Sequence, residues 1–168
     1  MKLTIKLTIL FVLIGLFGCK KQTDNPDVET YIYQLKSGRL GIAGELPAFT
    51  TSDIPALLKY RNETLVITNF PHNGISSFWN PDCKLGMYVL WTIESIRAVE
   101  IKSEYLIGRF PSQNPILALK LSTDLKLVID DKSQKEAADA YNDWWNSINI
   151  FKDKMKIDPL KDTSYRWH

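Results

Sequence analysis

Apolar residues recur at Val28, Tyr31, Ile32 and Leu35, the three- and four-residue spacing of one helical face, and predict an amphipathic helix. Asn25 before Pro26 supplies a capping side chain and a proline suited to the first helical position, and Ser37-Gly38 stops the run. The stretch from Arg39 to Thr51 has Gly41, Gly44 and Pro47 and little periodicity, so it reads as a loop packed through Leu46 and Phe49. A short helix follows, capped by Ser52 or Asp53 with Pro55 in its first turn, and runs to about Tyr60. Leu65 to Phe70 fits a strand or a further part of a helical layer, and its periodicity does not separate the two.

Asn80-Pro81-Asp82 places another capping group before a proline and predicts a helix from Asp82 to about Glu100. Leu85, Met87, Val89, Leu90, Trp91, Ile93 and Ile96 make it apolar around most of its circumference, which assigns it to the middle of the domain. Residues 101–129 leave helix and strand open. For Ile116 to Ile129, with leucines at 117, 119 and 121, the reading favours a helix begun by Asn114-Pro115, with two short strands as the alternative. A surface helix then spans Ser133 to Phe151, its stripe formed by Ala137, Ala140, Tyr141, Trp144, Ile148 and Phe151. Lys152 to His168 reads as a polar tail that docks through Leu160, Tyr165 and Trp167. One echo, Ile-x-x-Phe-Pro at Ile67–Pro71 and again at Ile107–Pro111, lies near the period of HEAT-like repeats; with two copies, a pair of similar loops in a non-repeat domain outweighs an array, and the echo serves only to support a helical layer. The predicted fold is mainly α: a single helix-rich layered domain, HEAT-like in its layering, with short strands as an option.

The chain begins with Lys2 and Lys6, continues with an apolar run from Leu7 to Phe17, and closes with Gly18 before Cys19, the order of an export signal. That run is shorter than the roughly 20 residues a bilayer-spanning helix needs. Leu16-Phe17-Gly18-Cys19 resembles the lipobox of bacterial lipoproteins, which implies cleavage before Cys19 and a lipid on its sulfur. The expected organisation is a signal peptide at 1–18, a lipidated cysteine and polar tether at 19–27, and one globular helical domain at 28–168.

Charge follows from that division. The whole chain carries 21 Lys+Arg and 19 Asp+Glu, and losing Lys2 and Lys6 leaves 19 of each. Such a balance lacks the basic stripe of a nucleic-acid surface, so no nucleic-acid partner is expected. Cys83 is the one cysteine left beside the lipid cysteine, so no disulfide is expected within the domain.

Three segments carry a wider resemblance: Asp53-Ile54-Pro55-Ala56-Leu57-Leu58, Cys83-Lys84-Leu85-Gly86 leading into Leu90–Arg97, and Tyr141-x-x-Trp144-Trp145. They are similar to an uncharacterised family of small lipoproteins of Gram-negative bacteria, a domain of unknown function. The resemblance implies an envelope location and a helix-rich domain, and it implies no chemistry.

Glu94 is the most unusual internal residue, since it shares a helical stripe with Cys83, Met87 and Leu90 and an acid there needs a partner. Arg97 is within reach, and a structural Glu94–Arg97 pair outweighs the alternative of a general acid or base. Cys83 with His72 is the weaker nucleophile candidate, because no nucleophile signature surrounds it. His72 and His168 show no paired metal-ligand spacing, and phosphate-binding glycine loops are missing from the sequence, so no catalytic residue, metal or cofactor is assigned. Two loops, Phe70–Pro81 and Gly108–Pro115, combine aromatics, amides and an arginine, which suits a protein or glycan partner. Phe70, His72, Trp79, Arg109 and Phe110 are the candidate partner-binding residues, while for Phe70, Phe78 and Trp79 the competing reading, that the aromatics close the core ends, is the favoured one. The expected function is a non-catalytic binding or accessory module anchored through Cys19 to an outer membrane, periplasmic or surface-facing. An envelope hydrolase using Glu94 with Cys83 or His72 is the alternative, and it requires those groups to share one cleft.

Overall fold

The computed structural model describes residues 26–78, 80–147 and 154–168. The first helix, α1 (Pro26–Lys36), buries Val28, Tyr31, Ile32 and Leu35 as the spacing requires. A single turn of 3-10 helix at Thr51–Asp53 leads into the short α2 (Ile54–Leu58), whose Ile54, Leu57 and Leu58 enter the core. The chain then forms β1 (Val66–Ile67) and returns as β2 (Cys83–Lys84), antiparallel to it.

Helix α3 (Leu85–Glu100) is the centre of the molecule, with residues on every side of it buried. It starts at Leu85 rather than at Asp82, because Cys83 and Lys84 are taken up by the pairing with β1. No side chain caps it. Instead the amides of Leu85 and Gly86 donate to the carbonyls of Leu65 (2.8 Å) and Glu63 (2.9 Å), so the turn before β1 satisfies the helix end. That contact is tight: a Cβ on Gly86 would lie 2.5 Å from the Arg61 carbonyl oxygen.

The region predicted as helix from Asn114-Pro115 is strand. β3 (Leu117–Leu119) is flanked on one side by β4 (Leu127–Val128) and on the other by β5 (Tyr165–Trp167), both antiparallel, in the order β4-β3-β5. Leu117 and Ala118 are both buried, so the strand is covered on both faces and the alternation that marks a half-exposed strand is lost. The tail predicted as polar therefore completes a sheet. Lys120 fixes its approach, with Nζ donating to the carbonyls of Leu160, Lys161 and Thr163 at 2.6–2.9 Å.

Helix α4 (Asp131–Asn146) begins where Asp130 Oδ1 accepts the Ser133 amide at 2.8 Å, and it packs Ala137, Tyr141 and Trp144 against α3. Ile148 and Phe151, assigned to its stripe from the sequence, lie outside the described residues. The architecture mixes helix with two small sheets and is not the mainly α, HEAT-like layer expected. The Ile-x-x-Phe-Pro echo marks two similar loops, as its favoured reading has it. Phe70 packs on Tyr88 (ring centroids 4.9 Å apart) and Phe110 stacks on Trp91 (5.5 Å), so two loops place the same residue type against successive turns of α3.

Candidate functional site

Glu94 sits on α3 with only 7 % of its surface exposed. Arg97, one turn on, donates from Nε to both carboxylate oxygens at 2.9–3.0 Å and from one Nη to Oε1 at 2.5 Å, while its other Nη reaches the Met155 carbonyl at 3.1 Å. Tyr141 of α4 donates its hydroxyl to Glu94 at 2.9 Å, and Trp167 of β5 donates its indole N–H to Tyr141 at 2.9 Å. A chain of hydrogen bonds thus links α3, α4 and the last strand. Burial, and after it the Glu94 charge, hold the Tyr141 hydroxyl well above the usual tyrosine range, so it remains a donor. Burial alone weakens Arg97 as a cation, but the hydrogen bonds and charge of Glu94 outweigh it and raise its proton affinity. The expected Glu94–Arg97 pair is present, and its extension to Tyr141 and Trp167 joins residues too far apart in sequence to be read as neighbours.

Above this network lies an open cleft of about 640 Å³ with Glu94 among its lining residues. Asn73 comes from the first predicted loop, and Pro111, Ser112 and Gln113 come from the second. The two loops do meet: Asn114 Nδ2 lies 3.1 Å from Ser76 Oγ and 3.0 Å from His168 Nδ1, and the Phe78 ring meets the His168 ring edge-on at 5.8 Å. Trp167 and Arg166 form a further wall, while Glu104, Tyr105, Ile107 and Leu125 make the rim. Tyr105 is 75 % exposed. Leu125 holds a left-handed backbone with φ of 51°, a conformation that a bulky side chain rarely takes, and it brings apolar surface to the rim.

The other sequence candidates are placed differently. Phe70 and Phe110 are buried loop residues packed against α3, which leaves them unavailable as contact surface. Arg109 Nε and an Nη donate to the carbonyls of Pro47 (3.1 Å) and Phe49 (3.3 Å), tying down the loop before α2. His72 is half-buried and does not line the cleft, and Trp79 lies outside the described residues. Cys83 lines a separate small cavity beside Pro115 and Gln134, and burial pushes its thiol up, away from the thiolate. Glu94, Cys83 and His72 therefore share none of the clefts described. Among the described residues, no three of His, Cys, Asp and Glu are grouped as a metal ion requires, and no helix is long and apolar enough to cross a membrane. Tyr105, Glu104 and Arg166 were missed as residues of this cleft, since nothing in the local pattern brings residues 104–113 beside residue 166.

Residues 22–168 match the family described as Domain of unknown function (DUF4943), and the chain belongs to that family. Comparison with curated proteins finds no match. Comparison with solved structures finds none.

Proposed function

We propose that the protein is a membrane-anchored lipoprotein of the cell envelope whose folded part is a non-catalytic binding module, with the cleft between the two loops and β5 as its binding face. The supporting observation is the cleft itself: exposed aromatic and apolar side chains stand above a buried, fully paired ion network. Such a base is rigid, which lowers the ordering cost of binding. Glu94 accepts from three donor groups and is engaged as a structural acceptor, which argues for binding over hydrolysis. Anchoring rests on the sequence from Lys2 to Cys19.

Two measurements test this. Intact mass of protein extracted from its native membrane should show Cys19 as an acylated first residue, and an unmodified cysteine would end the lipoprotein reading. Capture of envelope components by the full chain should fall with Tyr105→Ala while the thermal midpoint stays put, because an exposed side chain adds contact area without holding the fold. Capture indifferent to Tyr105→Ala would remove the cleft as the binding face.

A further inference from the structure

The lining of the cleft restricts what it can hold. Glu94 is neutralised in place by Arg97, so the charged side chains left at the opening are one carboxylate, Glu104, and one guanidinium, Arg166. His168 beside them is disfavoured as a cation by burial and by Arg166. A cleft balanced in this way offers no net attraction to a polyanion or a polycation. Trp167 has its indole N–H committed to Tyr141, so what it presents to the cleft is carbon surface in a fixed position. The negative face of an aromatic ring attracts the weakly positive hydrogens of a C–H surface. Around it, Gln113 both donates and accepts, Glu104 accepts and Arg166 donates, a set whose natural complement is a group that does both.

An extended peptide would need unpaired main chain to bond to. Little is on offer. Along the open edge of β5 the Tyr165 amide is taken by Thr163 Oγ1 (3.1 Å) and the Trp167 carbonyl accepts from Arg166 (3.4 Å), which leaves the Trp167 amide as the donor facing outward, too little for a paired strand. A sugar needs no strand edge. Its hydroxyls are donors and acceptors at once, and its ring carries C–H faces.

Building on the binding role proposed above, we infer that the cleft takes an uncharged oligosaccharide, with its C–H faces on Trp167 and Tyr105 and its hydroxyls on Gln113, Glu104 and Arg166. The full chain, extracted from membranes in detergent, is titrated calorimetrically with malto-, manno- and chito-oligosaccharides, and in parallel with a library of neutral and charged peptides. At least one sugar should bind with a dissociation constant of about 10 μM to 1 mM. Tyr105→Ala and Gln113→Ala should each weaken it about tenfold with the circular dichroism spectrum and thermal midpoint kept. Raising salt from about 0.1 M to about 0.5 M should leave binding unchanged, since the ligand carries no charge to screen. Binding by none of the sugars, or sugar binding that salt abolishes or that ignores Tyr105, overturns the inference. If peptides bind instead and Tyr105→Ala weakens them, the binding module stands with another ligand class. If neither sugars nor peptides bind, the cleft loses both the ligand and the role.

Discussion

Glu94 and Arg97 illustrate how a single side chain can be indispensable without being reactive. Both are nearly sealed from water, with 9 % and 12 % of their side-chain surface exposed, and each charge is tolerated only because the other faces it. Glu94→Gln removes the anion and leaves the guanidinium without a counter-charge, which should cost about 3–5 kcal/mol in chemical denaturation. The double variant Glu94→Gln with Arg97→Met should recover much of that loss, and a strictly additive double variant would show that the two residues do not act as a pair. Gly86 is constrained by space alone. A methyl group there meets the backbone oxygens of Arg61 at 2.5 Å and Glu63 at 2.9 Å, so Gly86→Ala should destabilise by at least about 1–3 kcal/mol, read from the urea midpoint. The pair was legible from the i, i+3 spacing on an apolar helix. The glycine was not, because its partners come from the turn before β1 and no pattern along the chain reports a close approach. The anchoring contacts of Arg109 were out of reach for a related reason: the carbonyls it serves lie some sixty residues earlier.

At the scale of elements, helices announced themselves where burial follows one local period. α1 and α4 bury the stripes their spacing defines, and α3 is enclosed as its all-round apolarity demands. Leu90, fully buried on α3, should cost about 2–5 kcal/mol when cut to alanine, and a change below about 0.5 kcal/mol would mean the helix is not the centre of the core. Strands were harder to read because their identity lies in their partners. β3 meets β5 across nearly fifty residues of chain, and β1 and β2 are only two residues long, too short for any alternation to register. The same gap hid the cleft: both loops were read as candidate contact surfaces, but β5, the wall that turns them into a cleft, was read as tail. Removing residues 165–168 should therefore do more than trim an end. It strips β3 of a partner and the Tyr141 network of Trp167, and thermal unfolding should lose its cooperativity; a sharp, unshifted transition would show that β5 is dispensable.

For the whole molecule, the lipoprotein reading proposed above joins two regions with different physics at Cys19 and its polar neighbours. The folded region holds Tyr31, Tyr88 and Tyr141 buried, each with its hydroxyl pushed above the ordinary range by burial. A raised pKa means the folded state keeps protons that the unfolded chain releases, so this stability is complete below the unfolded tyrosine value of about 10 and is lost as pH rises beyond it. None of that depends on an anchor. The polar run from Lys20 to Asn25 carries no large apolar side chain, and it therefore supplies nothing with which to pack onto a core. Replacing Cys19 should accordingly separate address from fold: Cys19→Ala should move the protein out of the detergent phase while changing its unfolding free energy by less than about 0.5 kcal/mol. Fractionation and denaturation of the same preparation check both halves. Retention in the detergent phase would place the membrane contact elsewhere in the chain, and a large loss of stability would mean that the lipidated end packs against the domain rather than tethering it.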